Sequence, residues 1–247
     1  MKSDLTKAPV LGGARNAVSC SRTVDVFVRK LMRLGRFPRS GRMLDIGCGD
    51  GTFTVILGQQ CNEVHAIDVQ EQNLNRFRSH LKNEKKFVIS NMSASALAYP
   101  DDYFDTIVTI ETLEHVSDLP GSVSEICRVL KPGGELLITV PNRWFPSENH
   151  GMRIGKRVYG RVPFLTYLPW LHSRLALARV FTVRDLDRLF VVRGLKRMAV
   201  DYLWPTFEHG GNPFQPYLRP LFGLMRTMEN SFLRMFGTSI VVRYIKE

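Results

Sequence analysis

The sequence predicts an α/β protein built on a doubly wound, seven-stranded and mostly parallel sheet. Short, nearly continuous apolar runs alternate with helical segments, a pattern typical of strands that are buried on both faces. A glycine-rich turn follows the first of these runs. The 247 residues are 44% hydrophobic and 23% charged, which excludes a wholly disordered chain and allows either one decorated domain or a domain with a cap.

The first forty residues predict a polar lead followed by a helix. Apolar residues recur at helical spacing between Val24 and Leu34, and Pro38 to Gly41 end the segment. We therefore expect residues 1–40 to form an N-terminal helical cap on a domain that covers residues 41–247.

Five strands with intervening helices follow this cap. The strands are predicted at Met43–Ile46, Val64–Asp68, Phe87–Ser90, Thr106–Ile110 and Glu135–Val140. The helices are predicted around Thr54–Gln60, Gln72–Lys82 and Ser122–Leu130, the last of them followed by a turn at Lys131–Gly134. Phe181 and Thr182 begin a further helix that ends at Phe190, and Leu195–Tyr202 and Thr238–Ile245 supply the last two strands.

Two insertions, residues 143–180 and 203–236, are longer than α/β loops usually are, and insertions of this length are often lids or binding loops. The first holds 7 basic residues and 1 acidic residue among several aromatic ones. The second predicts an amphipathic helix near Leu218–Met235. We expect helical lids that shape an apolar pocket or contact a membrane surface. A small auxiliary core with a solvated basic face is the alternative.

Charge is distributed unevenly along the chain. Residues 44–142 carry 7 Lys/Arg against 14 Asp/Glu, a net charge of −7, so the flanking segments carry +18 and the whole chain carries +11. A basic surface can meet phosphate, nucleic acid or anionic lipid, or simply favour solubility. The four cysteines include no C-x-x-C pair, and no signal peptide is recognisable. In the most apolar region, the longest stretch free of charge and His is Val162–Leu171, which is too short to span a bilayer. These features predict a cytoplasmic protein, with peripheral membrane contact left open.

The glycine-rich turn predicts a binding site for a ligand with an ammonium group. Gly47, Gly49 and Gly51 let the backbone approach a ligand, while Asp45 and Asp50 would repel a pyrophosphate. Asp68 ends the second strand 17 residues after Gly51, where an acidic side chain typically holds both ribose hydroxyls. S-adenosylmethionine (SAM) has a ribose and an ammonium but no phosphate. The alternative is a tight turn with Asp45 as a helix-cap residue.

The segment from residue 41 to 142 resembles the class I SAM-dependent methyltransferases. The resemblance rests on a set of motifs in the family's order: Asp45–Gly51, Asp68, Phe104-Asp105, Leu113–Val116 and Arg128–Gly134. It implies a Rossmann-like methyltransferase fold in which Gly47, Cys48 and Gly49 lie along the methionine part of SAM. It also implies that Asp68 and Val69 meet the ribose and adenine edge and that Ile110 closes over the methionine end.

The chain departs from the family pattern at the adenine amine. The family usually has an acidic residue at the position of Ser93, whose hydroxyl can accept one hydrogen bond. The backbone of Ala94 can still face the ring. We expect SAM to bind with less selectivity for adenine than is usual in the family.

Candidate catalytic residues follow the fourth strand. Glu111, Glu114 and His115 would share one face if a helix began at Glu111. Such a group can hold a divalent metal such as Mg²⁺. The spacing is similar to that of ubiquinone-pathway O-methyltransferases and of small-RNA 2′-O-methyltransferases, where it is a metal site. The alternatives are that Glu114 and His115 only cap or pack a helix, or that His115 is a direct general base.

A second group of polar residues follows the fifth strand. Glu148 and His150 can complete a metal shell or deprotonate an acceptor, so His150 joins Glu111 and His115 among the candidate catalytic residues. The favoured alternative is a loop in which Trp144 and Phe145 pack inward and the polar residues face water. His172 and His209 are interpreted as ordinary loop residues.

The sequence as a whole predicts a small-molecule methyltransferase, most simply one that acts on oxygen. An apolar or amphipathic acceptor would suit the insertions: a quinone-like phenol, a lipid or a secondary metabolite. An RNA methyltransferase would use the basic flanks, but no appended RNA-binding module is recognisable. A non-catalytic SAM-binding partner protein is the third alternative. The oligomeric state stays open.

Overall fold

The structure, a computed structural model, describes residues 17–35, 37, 41–81, 85–148, 150–160, 162–204, 228 and 231–247. Its helices are α1 (Ala17–Leu34), α2 (Thr52–Leu57), α3 (Glu71–His80), α4 (Leu119–Val129), α5 (Pro169–Leu175) and α6 (Val183–Phe190). Its strands are β1 (Arg42–Ile46), β2 (Glu63–Asp68), β3 (Phe87–Asn91), β4 (Phe104–Ile110), β5 (Leu130–Pro141), β6 (Ser147–Glu148), β7 (Met152–Ile154), β8 (Arg157–Tyr159), β9 (Val162–Pro163), β10 (Leu195–Leu203) and β11 (Ser239–Lys246).

Seven of the strands form one sheet in the order β10-β11-β5-β4-β1-β2-β3. The pairs from β5 to β3 are parallel, whereas β11 runs antiparallel to both of its neighbours. The seven-stranded, mostly parallel sheet that the alternation predicted is therefore confirmed. Because the strand order reverses beside β1, the carboxyl ends of β1 and β4 flank the crevice where ligands bind in such sheets.

The sheet is buried on both faces. Leu44, Ile46 and Ile107 pack in a cluster with residues of α4 and α6 on one face. Met43, Val108 and Leu137 pack on the other face against α1, whose Leu31 has no exposed surface. The apolar runs of the sequence are thus explained by burial on both sides.

Two predicted boundaries differ from the structure after the third strand. Helix α4 begins at Leu119 because the Asp118 side chain accepts a hydrogen bond from the Gly121 N–H at 2.9 Å, so no helix begins at Glu111. The predicted turn at Lys131–Gly134 is a bulge inside β5. Pairing with β4 passes from Phe104–Leu130 to Thr106–Glu135, and Gly133 takes φ +76°.

The first insertion consists of two small ladders, β6 with β9 and β7 with β8, together with α5. An isolated bridge between Asn142 and Phe181 closes it at its base. The helix predicted near Leu218–Met235 lies largely outside the described residues, as does His209, and the described end of the second insertion is a 3-10 turn at Phe232–Phe236. Among the helices that the structure describes, none combines the length and apolar character that a membrane span requires.

Candidate active site

The glycine-rich turn connects β1 to α2 and is held against β2. The N–H groups of Gly47 and Cys48 both donate to the Ile67 carbonyl, at 2.8 and 3.0 Å. All three glycines take positive φ, at +77° for Gly47, +56° for Gly49 and +80° for Gly51. This conformation favours glycine and turns the backbone toward the carboxyl edge of the sheet.

The three glycines differ in what surrounds them. A Cβ at Gly47 would lie 2.2 Å from the Thr112 side chain, and one at Gly51 would lie 2.1 Å from the Phe77 ring. A Cβ at Gly49 would meet nothing within 4 Å. Gly47 and Gly51 are therefore required by packing within the protein, whereas Gly49 borders open space at the crevice.

Asp68 stands at the end of β2 with its carboxylate fixed by two backbone groups. Its Oδ2 accepts from the Gly49 N–H at 3.0 Å and its Oδ1 from the Gln70 N–H at 2.7 Å. Each carboxylate oxygen has a second lone pair, so the side chain can still accept from two hydroxyls. Next to it, Val69 is 66% exposed although it is apolar.

The remaining residues expected around adenine lie in the loop that follows β3. The Ser93 hydroxyl lies 3.0 Å from that of Ser95, and Ser93 is exposed, whereas Ala94 is buried. Ile110 is partly buried at the end of β4, where it packs against the α1 side of the core. Ser93 therefore offers an accessible hydroxyl, while the contacts of Ile110 within the core limit how far it can close over a ligand.

Asp45 and Cys48 differ in their protonation chemistry. Asp45 is 2% exposed, and its Oδ2 accepts a hydrogen bond from the Thr54 hydroxyl at 2.6 Å. Burial raises the pKa of Asp45 to about 6; the Thr54 bond opposes the shift, and the negative charge of Asp68 adds to it. Burial also raises the pKa of the Cys48 thiol, and the negative charges of Asp45 and Asp68 raise it further, so the thiol stays neutral.

Glu111 and Glu114 lie on the irregular loop between β4 and α4. Glu111 takes φ +49°, and its N–H donates to the Thr139 carbonyl at 3.0 Å. Among the described residues, the Oε1 of Glu111 and both carboxyl oxygens of Glu114 are buried without a hydrogen-bond partner. Burial raises the pKa of the Glu111 carboxyl. Burial, together with repulsion from the negative charge of Glu111, raises the pKa of Glu114 to about 9.

Two imidazoles face the Glu114 carboxyl. The Nε2 atoms of His115 and His150 lie 3.9 and 3.8 Å from its Oε1, and the two rings meet edge to face at 5.3 Å. Glu114, His115 and His150 each offer a ligand atom within 4.8 Å of the others, whereas Glu111 is outside this group. The group therefore differs from the expected set of Glu111, Glu114 and His115. Glu111 is close enough to interact electrostatically with Glu114 and His150 but is not one of the three grouped residues, and the first insertion supplies His150 instead.

Glu148 holds His150 from behind. Its Oε1 accepts from the His150 N–H at 2.8 Å and lies 3.6 Å from the ring Nδ1, while its Oε2 lies 2.6 Å from the Nε2 of His172. Burial alone would raise the pKa of Glu148, but hydrogen bonds from His150 and His172 outweigh it and lower that pKa to about 2. The hydrogen bond between the His150 side chain and Glu148 raises the pKa of His150. The pKa of His115 is lowered, mainly by burial and further by the positive charges of His150 and Arg179.

Two expectations about the first insertion are wrong. Glu148 and Asn142 are buried and Trp144 is 45% exposed, so the polar residues of this loop point inward. Asn142 donates to the Met235 and Gly237 carbonyls, both at 2.7 Å, which ties the end of β5 to the second insertion. His172 is a buried residue of α5 and not an ordinary loop residue; its apolar neighbours in the sequence are the signal that could have indicated burial.

Known proteins are similar to this chain in its central segment and in its fold. Residues 44–138 match the family model described as a methyltransferase domain. The ubiquinone biosynthesis O-methyltransferase of Idiomarina loihiensis is 31% identical over 124 residues, which are 49% of this chain and 51% of the relative. The mitochondrial enzyme of the same name from Homo sapiens is 30% identical over 128 residues, or 49% of this chain and 34% of the relative. The chain thus spans about half or less of these relatives.

The chain has the fold of the class I SAM-dependent methyltransferases. Solved structures share its fold: a SAM-dependent methyltransferase from Mesorhizobium loti aligns with 90% of this chain and 100% of its own at 18% identity and a TM-score of 0.64. Magnesium protoporphyrin IX methyltransferase from Synechocystis, solved with bound S-adenosylhomocysteine (SAH), aligns with 96% of this chain and 91% of its own at 14% identity and a TM-score of 0.60.

The residues around the glycine-rich turn fit SAM, the cofactor that the matched methyltransferase domain implies. The open space beside Gly49 can take the methionine part, the free lone pairs of Asp68 suit the ribose hydroxyls, and exposed Val69 suits the adenine face. Thr112 packs on Gly47, so the loop that carries Glu114 begins where the sulfonium end of SAM would lie.

A cavity of about 730 Å³ is bordered by residues of that loop. Glu114 and His115 form one wall, and residues of α5, α6 and the segment between them form the others. The walls include apolar side chains such as Leu119, Leu177 and Leu189. The residues of the glycine-rich turn do not line this cavity, whereas Glu114 and His115 do.

Proposed function

We propose that this methyltransferase transfers the methyl group of SAM to an oxygen of a small apolar or amphipathic acceptor. The observation that carries the proposal is the Glu114 cluster, which combines a buried carboxyl with two imidazoles and contributes Glu114 and His115 to the wall of a partly apolar cavity. The relatives named ubiquinone biosynthesis O-methyltransferase support oxygen as the acceptor atom. A quinone-like phenol is the class of acceptor that suits both observations.

Methyl transfer from a sulfonium needs alignment and, for a hydroxyl acceptor, removal of one proton. His115 is suited to accept that proton, because a lowered pKa keeps its imidazole neutral near pH 7. His150 is suited to orient the acceptor, since Glu148 fixes its position. The acceptor oxygen would lie beside Glu114, between the glycine-rich turn and the cavity.

The same cluster fits a divalent cation. Both oxygens of the Glu114 carboxyl are buried without a partner, and Glu148 stands behind His150 as carboxylates often stand behind metal-binding histidines. Glu114, His115 and His150 would hold the ion, which supplies positive charge that favours an ionised acceptor oxygen. Two imidazoles and one carboxylate suit Mn²⁺ or Fe²⁺ at least as well as the Mg²⁺ that the sequence suggests.

The test is methyl transfer from SAM to a panel of catechols, measured as SAH formed, with total RNA as a parallel acceptor. We expect methylated catechol, loss of most activity in Glu114→Gln and His115→Asn, and no loss in the exposed control Glu71→Gln. Metal is then removed with a chelator, and Mg²⁺ or Mn²⁺ is added back. Activity that survives the chelator indicates proton removal by His115 without a metal, whereas activity that is lost and then restored indicates a metal site. Transfer to RNA alone would contradict the proposal, and SAM binding with no transfer would favour a non-catalytic role.

A further inference from the structure

Three arginines line the cavity beside the Glu114 cluster: Arg143 at the end of β5, Arg179 before α6 and Arg188 on α6. None of them has a carboxylate within 4 Å in the part of the chain that the structure describes. Arg128 and Arg197, by contrast, each pair with an aspartate or glutamate at 2.8 Å. The cavity wall thus carries positive charge that the described residues leave uncompensated.

Arg143 and Arg179 each donate to a backbone carbonyl, and Arg188 lies at the surface of the cavity wall. Arg143 donates to the Val180 carbonyl at 3.4 Å, and its Nε is buried without a partner among the described residues. Arg179 donates to the Val116 carbonyl at 2.5 Å, which neutralises no charge. Arg188 is exposed one helical turn after Asp185.

The acidic residues of the cavity wall are committed elsewhere. Asp185 accepts from the Thr182 N–H and hydroxyl, both at 2.8 Å, as the N3 residue of a capping box. The Glu114 carboxyl faces His115 and His150. Neither therefore pairs with the arginines.

Uncompensated arginines in a concave site attract anions, and the planar guanidinium matches a carboxylate or a phosphate. A volume of about 730 Å³ lies within the range of ligand sites and admits a ring-sized body. Building on the proposed function, we propose that the acceptor carries an anionic group, a carboxylate or a phosphate, which Arg143 and Arg188 hold in this cavity. Arg179 adds charge and joins the cavity wall to the Glu114 loop.

The test compares ligands of nearly the same shape, one of which carries a negative charge. Isothermal titration of the SAH-saturated protein with 3,4-dihydroxybenzoate and with 3,4-dihydroxybenzamide measures the contribution of the anion without turnover. We expect the acid to bind about tenfold more tightly or better, as one charge-assisted hydrogen bond would give. The corresponding benzylphosphonate is a third ligand, and whichever anion binds more tightly identifies the group.

Arginine variants locate the anion. Arg143→Gln and Arg188→Gln should each reduce the affinity for the acid toward that of the amide, and the control Arg184→Gln, exposed on the same helix, should not. Arg188 is on the surface, so its variant stays informative if Arg143→Gln fails to fold. Equal affinities, no binding of either anion, or unchanged affinity in both variants would overturn the inference while SAH binding still supported the proposed function. Failure to bind SAH would overturn both.

Discussion

The Nε2 atom of His172 lies 2.6 Å from the Oε2 atom of Glu148, in a contact between two buried side chains that joins α5 to β6. The second oxygen of the same carboxylate accepts from the backbone of His150. One glutamate thus links the fold of the first insertion to the orientation of an imidazole at the Glu114 cluster. A carboxylate used in this way should affect both stability and function.

We expect Glu148 to make the protein sensitive to acid. Its pKa lies at about 2, below the usual value for glutamate, so its contribution to stability is complete above about pH 4.5 and is lost as the pH falls through 2. The free energy of unfolding should fall by about 3 kcal/mol over this range on account of this group. Urea unfolding at several pH values measures the effect.

The variant Glu148→Gln should show a flatter dependence on pH in that window and a lower stability at pH 7. Glu71→Gln, which changes an exposed carboxylate on α3, is the control. Identical pH profiles for Glu148→Gln and the unmodified protein would rule out the buried carboxylate as the cause.

We expect Gly49 to matter for the cofactor and Gly51 for the fold. A methyl group at Gly49 enters open space at the crevice, whereas one at Gly51 meets the Phe77 ring at 2.1 Å. Gly49→Ala should therefore weaken SAM binding, and the larger Gly49→Val should block it. Gly51→Ala should lower the melting temperature, since a buried ring must move. Titration calorimetry and thermal denaturation separate the two effects.

Gly133→Ala is the matched control for backbone strain. Gly133 takes φ +76° with nothing within 4 Å of its Cβ position, and it lies on the β5 bulge away from the crevice. The substitution Gly133→Ala should lower the free energy of unfolding by about 1 kcal/mol and leave SAM binding unchanged. If Gly49→Val bound SAM normally, the methionine part would have to lie elsewhere.

We expect Asp68→Ala to weaken SAM binding by about 10- to 100-fold, because hydrogen bonds from two ribose hydroxyls to a charged group are lost. The variant also loses the bonds that Asp68 accepts from the Gly49 and Gln70 N–H groups, so the turn itself should loosen. Calorimetric titration with SAM is the measurement, and Asp101→Ala, a change at an exposed aspartate, is the control. Unchanged affinity would show that the ribose is not bound at the end of β2.

We expect the affinity for SAM to fall in mild acid. Burial raises the pKa of Asp45 to about 6, so the free protein holds this carboxyl protonated below that pH, whereas an ammonium group prefers it ionised. Binding must then release a proton, and the affinity should fall by up to tenfold for each pH unit below 6. Asp45→Asn should bind more weakly at pH 8 and show little change between pH 8 and 5. A profile for the unmodified protein that is flat over this range would contradict the role of Asp45.

The amino-acid sequence by itself determined the sheet and the cofactor side of the site. Strand burial follows from short apolar runs, and the glycine-rich turn is one continuous segment whose spacing to Asp68 is fixed by a single βαβ unit. These features are local in the chain, so residue pattern and backbone sterics suffice to predict them. The length of β5 was missed because a bulge can hold Lys-Pro-Gly-Gly within a strand.

Only the tertiary structure decided the catalytic side of the site. His150 reaches Glu114 because the first insertion folds back over the end of β4, and it is held there by Glu148 and by His172 from α5. Arg143, Arg179 and Arg188 share a cavity although they lie on three separate segments. Such contacts depend on how irregular segments pack against one another. Each contact is fixed by the burial and hydrogen bonding of groups that are distant along the chain, so no periodicity in the sequence encodes it.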